Sequence, residues 1–166
     1  DPDPSARREL LVEVSAATTD EAPSAASSVA VLSDPDATPA LKDRAKGRLR
    51  RGLGDNAADT QKALMELMQE ERASSDARIF AIELLREAEA PTPGLDEAAR
   101  GAFGSRSEAV KAAALPLYAR VAPDRALADL GTLLGDSKAG KSMREAAALA
   151  WGELVKSHQA EAEAAL

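Results

Sequence analysis

Alanine occupies 38 of the 166 positions, while the chain holds two phenylalanines, two isoleucines, one tyrosine and one tryptophan. A sheet presents pleated faces that β-branched and aromatic side chains fill, and this chain has too few of them. Ala, Leu, Arg, Glu and Lys are strong helix formers. An all-α fold follows. Small methyl side chains also let helices approach closely, which suits tightly layered helix pairs.

The punctuation divides the chain into helical segments. Ser5 caps a helix over residues 5–18, with Leu10, Leu11 and Val14 as its stripe. Asp20 caps a second helix with Pro23 in its first turn, a position proline tolerates. Thr38-Pro39 is a cap followed by proline at the first helical position. That helix runs over 39–53, carries Leu41, Ala45 and Leu49 on one face, and stops at Gly52 and Gly54. Asp55 opens the next helix, which ends near Glu71 and holds Leu64, Met65, Leu67 and Met68. Ser74-Ser75-Asp76 caps another, with Ile79, Ala81, Ile82, Leu84 and Leu85. Two prolines between Glu89 and Gly94 break the chain. Further helices are predicted over 95–103, 108–121, 124–134 and 142–156, and Ser157 is read as the cap of a last one. That last helix reaches Leu166 without a stop signal, as in a cut through a continuing array.

These segments recur. First helices start near Ser5, Pro39, Ser75, Ser107 and Ser142, at intervals of 34, 36, 32 and 35 residues. Second helices start near Glu21, Asn56, Leu95, Asp124 and Gln159, at intervals of 35, 39, 29 and 35. Five helix pairs at such a period are the signature of an α-solenoid, in which each pair buries its apolar face on its neighbours.

Asp76-Ala77-Arg78 with Ala81, Leu84 and Leu85 resembles the first helix of a HEAT repeat. Ala109-Val110-Lys111 with Ala113, Ala114, Leu117 and Tyr118 is similar, and so is Asp136 followed by Met143-Arg144, Ala146, Ala147, Leu149 and Gly152. Pro116 sits where such repeats often bend their first helix. The resemblance spans residues 74–156; the last copy departs from it through an enlarged loop. It implies one domain over 1–166, a right-handed α-solenoid of about five antiparallel pairs. It also implies a curved scaffold that binds other macromolecules. The helix-pair period, with the lack of catalytic residue types, points to a noncatalytic module that binds a protein or peptide partner along its second-helix face.

Composition limits the chemistry. The net charge is −7 and the pI about 4.9, against the basic footprint of a general nucleic-acid binder. With no cysteine, thiolate catalysis, disulfides and cysteine metal sites are excluded. His158 stands alone as the one histidine and reads as a surface residue. Glu70-Glu71 and Glu87 with Glu89 read as solvated charge, and Met65 and Met68 as core. Trp151, sharing a face with Ala147, Leu154 and Val155, is expected to pack between repeats. No apolar run approaches the ~20 residues of a membrane helix. No cofactor, metal or catalytic residue is expected, and the chain is expected to be a monomer.

Two segments offer alternatives. Gly135-Asp136-Ser137-Lys138-Ala139-Gly140-Lys141-Ser142 fits the P-loop pattern, in which Lys141 would meet terminal phosphates and Ser142 magnesium. The motif needs a β-strand before it, and residues 126–134 have a helical period instead. Lys42, Arg44, Lys46, Arg48, Arg50 and Arg51 place six cations within ten residues. They form either a docking patch for an acidic partner or nucleic-acid backbone, or a solvated helix face paired with acidic neighbours. No aromatic residue is interleaved to stack bases.

Overall fold

Serine and threonine caps define where helices begin. In this computed structural model, which describes residues 24–88, 92–134 and 139–164 (without the side chains of Leu134 and 157–164), all eight described helices are α-helices and no described residue is in a strand. They are α1 (Ala25–Ser33), α2 (Pro39–Asp55), α3 (Ala57–Gln69), α4 (Ser75–Glu87), α5 (Leu95–Phe103), α6 (Glu108–Val121), α7 (Pro123–Leu134) and α8 (Lys141–Ala164). The hydroxyls of Ser24, Thr38, Ser74 and Ser107 each accept a hydrogen bond from the backbone N–H three residues on, opening α1, α2, α4 and α6. Each bond satisfies one of the amides a helix start leaves without an internal partner. Gly94 opens α5 with φ +84°, a left-handed conformation that costs glycine nothing.

Most helices pack on a chain neighbour, and several on the helix after next. α1 lies on α2 and α3; α3 lies on α4 and α5; α6 lies on α4, α5, α7 and α8. The buried side chains are mostly Ala and Leu, and Tyr118 is the largest that is fully buried. Arg78 is buried too. Its Nε donates to the Met68 carbonyl at 2.9 Å and its Nη1 to Ser105 Oγ at 3.1 Å. Arg120 of α6 donates in the same manner to the carbonyls of Leu85 and Arg86 at the end of α4. Burial lowers the Arg120 guanidinium from its ordinary value; Glu153 opposes that shift and Arg86 adds to it. Tyr118 Oη donates to Asp129 Oδ2 at 3.0 Å, joining α6 to α7, and its ring stacks on Phe103.

Several boundaries differ from the sequence expectation. The predicted helix over 5–18 lies outside the described residues. The cap of α1 is Ser24; the expected cap Asp20 and Pro23 lie outside the described residues. α2 continues through Gly52 and Gly54 to Asp55, and Asn56 closes α2 and opens α3 at once. Glycine only weakens a helix, by about 1 kcal/mol relative to alanine, and packing of α3 against α2 outweighs that. Gly52 is required for the approach itself: a Cβ there would lie 2.5 Å from Thr60 Oγ1. α8 runs through Ser157 without a break, so no separate helix starts near Gln159. A serine caps only where the chain leaves helical geometry, and no glycine or proline follows Lys156 to make it do so.

Three outcomes follow. Gly54 has open space around it, so Gly54→Ala should stabilise by up to ~1 kcal/mol, while Gly52→Ala should destabilise by roughly 1–3 kcal/mol; urea denaturation of the pair reads the opposite signs. Arg78→Ala leaves the Met68 carbonyl without its Arg78 partner and opens a void, a loss of roughly 2–4 kcal/mol; an unchanged urea midpoint would remove this role. Burial first, then the hydrogen bond to Asp129 and its charge, raise Tyr118 above its ordinary 10.0. The unfolded tyrosine therefore loses its proton first, and stability falls as pH rises past that value. Tyr118→Phe should weaken this alkaline loss in a pH series of melts, while costing about 1 kcal/mol at neutral pH.

Candidate functional site

The six predicted cations all lie on α2, whose buried stripe is Ala45 and Leu49. At 100° per residue they fall into two rows on either flank of that stripe. Lys42, Lys46 and Arg50 form one row at four-residue spacing. Lys46 Nζ stands 5.5 Å from the Phe80 ring centroid and Arg50 Cζ 5.2 Å. The ring of α4 thus supports two cations of α2, each contact contributing about 0.5–1 kcal/mol at an exposed site.

Arg44, Arg48 and Arg51 form the second row. Arg48 and Arg51 line a cleft of about 320 Å³, which also touches Ser24 and Ser28 of α1, the end of α2 at Asp55, and Asn56 and Thr60. The structure therefore divides the predicted patch: one row rests on an aromatic ring, the other borders a cleft.

None of the six cations makes an ion pair among the described residues. The ion pairs there are Arg125–Asp96, Lys141–Glu145 and Lys156–Glu153. The alternative of pairing between α2 and acidic neighbours has no ion pair behind it among the described residues. α2 carries six cations against Asp43 and Asp55, four net positive charges in a chain of net charge −7.

The P-loop-like segment is divided differently. Residues 135–138 lie outside the described set. The segment before them is α7, a helix, where the motif needs a strand. Glu108 Oε1 lies 2.6 Å from where a Cβ on Gly140 would stand, so a carboxylate borders the turn that would cradle phosphate. Lys141 Nζ faces Glu145 at 3.6 Å.

Trp151 is 51% exposed and does not pack between helices as expected. The buried stripe of α8 is Met143, Ala146, Ala147, Ala150 and Leu154. Trp151 stands to one side of it, with exposed Ala148, Gly152 and Val155. Glu70, Glu71 and Glu87 are exposed; Glu89 and the His158 side chain lie outside the described set. Among the described residues no group of three or more His, Asp and Glu could hold a metal ion, and no helix is long and apolar enough to cross a membrane.

Phe80, Ser24, Ser28 and Arg78 were not singled out by sequence reasoning as site or tether residues. For Arg78 a signal existed: it shares a helix face with Ala81, Ile82 and Leu85. For Ser28 there was none, because its surroundings come from three helices.

No protein-family model, no curated protein and no solved structure matches the chain. The resemblance to HEAT repeats rests on the residues quoted for it.

Proposed function

We propose that the chain is a noncatalytic, monomeric helical-repeat scaffold, HEAT-like in its pairing, that binds an acidic segment of a partner protein along α2. The carrying observation is the set of six α2 cations with no ion pair among the described residues. Unpaired cations on a rigid helix face attract an anionic partner at no cost in broken internal pairs. Phe80 adds to this by holding Lys46 and Arg50 in place before a partner arrives.

The solenoid reading is supported by the helix starts. α2, α4, α6 and α8 begin at Pro39, Ser75, Glu108 and Lys141, at intervals of 36, 33 and 33 residues. α4 packs on α6 and α6 on α8, while α1 packs on α3 and α3 on α5. Two such rows are what a layered array of pairs requires. The sequence pattern alone favoured the second-helix face; the cations stand on α2, a first helix, and the binding surface is assigned there instead.

The test is fluorescence anisotropy with a glutamate-rich peptide. Affinity should fall as salt rises. Replacing Lys42, Arg44, Lys46 and Arg50 together by glutamine should weaken it about tenfold or more, at up to ~1 kcal/mol for each exposed charge pair. Salt-insensitive binding, or tighter binding to duplex DNA than to the peptide, would sink this reading.

A further inference from the structure

We propose that the cleft between α1 and α2 is a phosphate site, which takes a phosphomonoester, such as phosphoserine, carried by the acidic segment. The assignment rests on the acidic-segment reading of α2 and specifies what that segment carries. Four observations converge. Ser24 and Asn56 both line the cleft, and they are the N-caps of α1 and α3. Two helix N-termini, each with a partial positive charge and amides lacking internal partners, therefore meet at one place. Arg48 and Arg51 line the same cleft, and neither is ion-paired among the described residues.

Ser28 is the fourth observation. It lines the cleft, is 2% exposed, and its Oγ has no hydrogen-bond partner among the described residues. A buried hydroxyl left unpaired costs free energy, so a ligand oxygen that accepted from it would relieve that cost on binding. The backbone N–H of Ser28 is already used, donating to the Ser24 carbonyl. The hydroxyl is thus the free group at this point.

The opposing charges are Asp55 and the C-terminal end of α2, which also touch the cleft, and Asp59 in the first turn of α3, whose Oδ2 accepts from Asn56 Nδ2 at 2.9 Å. In the cleft lining itself, two guanidinium groups and two helix N-termini stand against the Asp55 carboxylate and one helix C-terminus, with Asp59 behind Asn56. Where the summed potential is positive, attraction and repulsion both scale with ligand charge, so a dianion gains more than a monoanion. That distinguishes a phosphomonoester from a single glutamate. Arginine also offers paired N–H donors that match phosphate oxygens in a bidentate fork.

The experiment uses the whole chain and three probes: inorganic phosphate, a glutamate-rich peptide containing one phosphoserine, and its unphosphorylated twin. Inorganic phosphate should shift the backbone amide resonances of Ala25, Ala26 and Ser28. The phosphopeptide should bind on the order of tenfold or more tighter than its twin, the size of one charge-assisted hydrogen bond. Arg48→Gln and Ser28→Ala should each reduce that ratio, and Arg48→Lys should restore part of it. Ser28→Ala removes an unpaired buried hydroxyl, so its melting temperature without ligand should equal or exceed that of the parent, which separates lost binding from lost folding. Equal affinity for the two peptides, with no phosphate-induced shift, would overturn the phosphate assignment while the acidic-segment reading stands. Phosphate-induced shifts without a phosphopeptide preference would overturn the partner-borne source and leave a free-anion site. Failure of both peptides to bind would remove both readings.

Discussion

A guanidinium placed on the last carbonyls of a neighbouring helix is the contact on which this arrangement depends. Arg78 reaches from the start of α4 to the Met68 carbonyl near the end of α3 and, on its other side, to Ser105 in the turn before α6. Arg120 reaches from the end of α6 to the last turn of α4. Helix C-termini carry unsatisfied carbonyls and a partial negative charge. A cation supplied from another helix answers both at once. These bonds have direction, and apolar contacts do not. In a core built largely from alanine, where each buried methyl contributes only about 0.8 kcal/mol, directional contacts fix which turn of one helix meets which turn of the next.

Close approach is the complement of that constraint. Gly52 lies under Thr60, and Asn56 alone separates α2 from α3. The result brings the N-terminus of α3 to the same cleft as the N-terminus of α1. Function is thereby linked to packing: the cleft exists because two helices turn tightly on one residue, and the cations border it because α2 buries only Ala45 and Leu49 and leaves both flanks to charged residues. Phe80, an aromatic on a neighbouring helix, then supports one of those flanks.

Helix class and most helix starts were legible in the residues. Thr38-Pro39, Ser74 and Ser107 cap helices as their chemistry requires, and the two prolines after Glu89 mark a break whose far side is the start of α5. Helix ends were less legible. Glycine is a weak stop that tertiary contact overrides, as at Gly52 and Gly54, and a serine inside a good helix-forming run is not a cap, as at Ser157. The six cations were visible as a cluster, but their division into a ring-supported row and a cleft-bordering row depends on α1, α3 and α4, which are distant along the chain. Ser28 was illegible for the same reason. Trp151 was misplaced because its spacing from Ala147 and Leu154 is compatible with the edge of the buried stripe as well as with its centre.

The position of Trp151 has an optical consequence. It is the chain's one indole, and half of its surface faces solvent while the rest of α8 holds fast to α6. Its emission reports the polarity of one helix flank, where Ala148, Gly152 and Val155 surround it. Loss of the fold would wet the half now covered and move the emission to longer wavelength. A molecule that came to rest on that flank would dry the ring and move its emission to shorter wavelength, giving a signal separate from any event at α2.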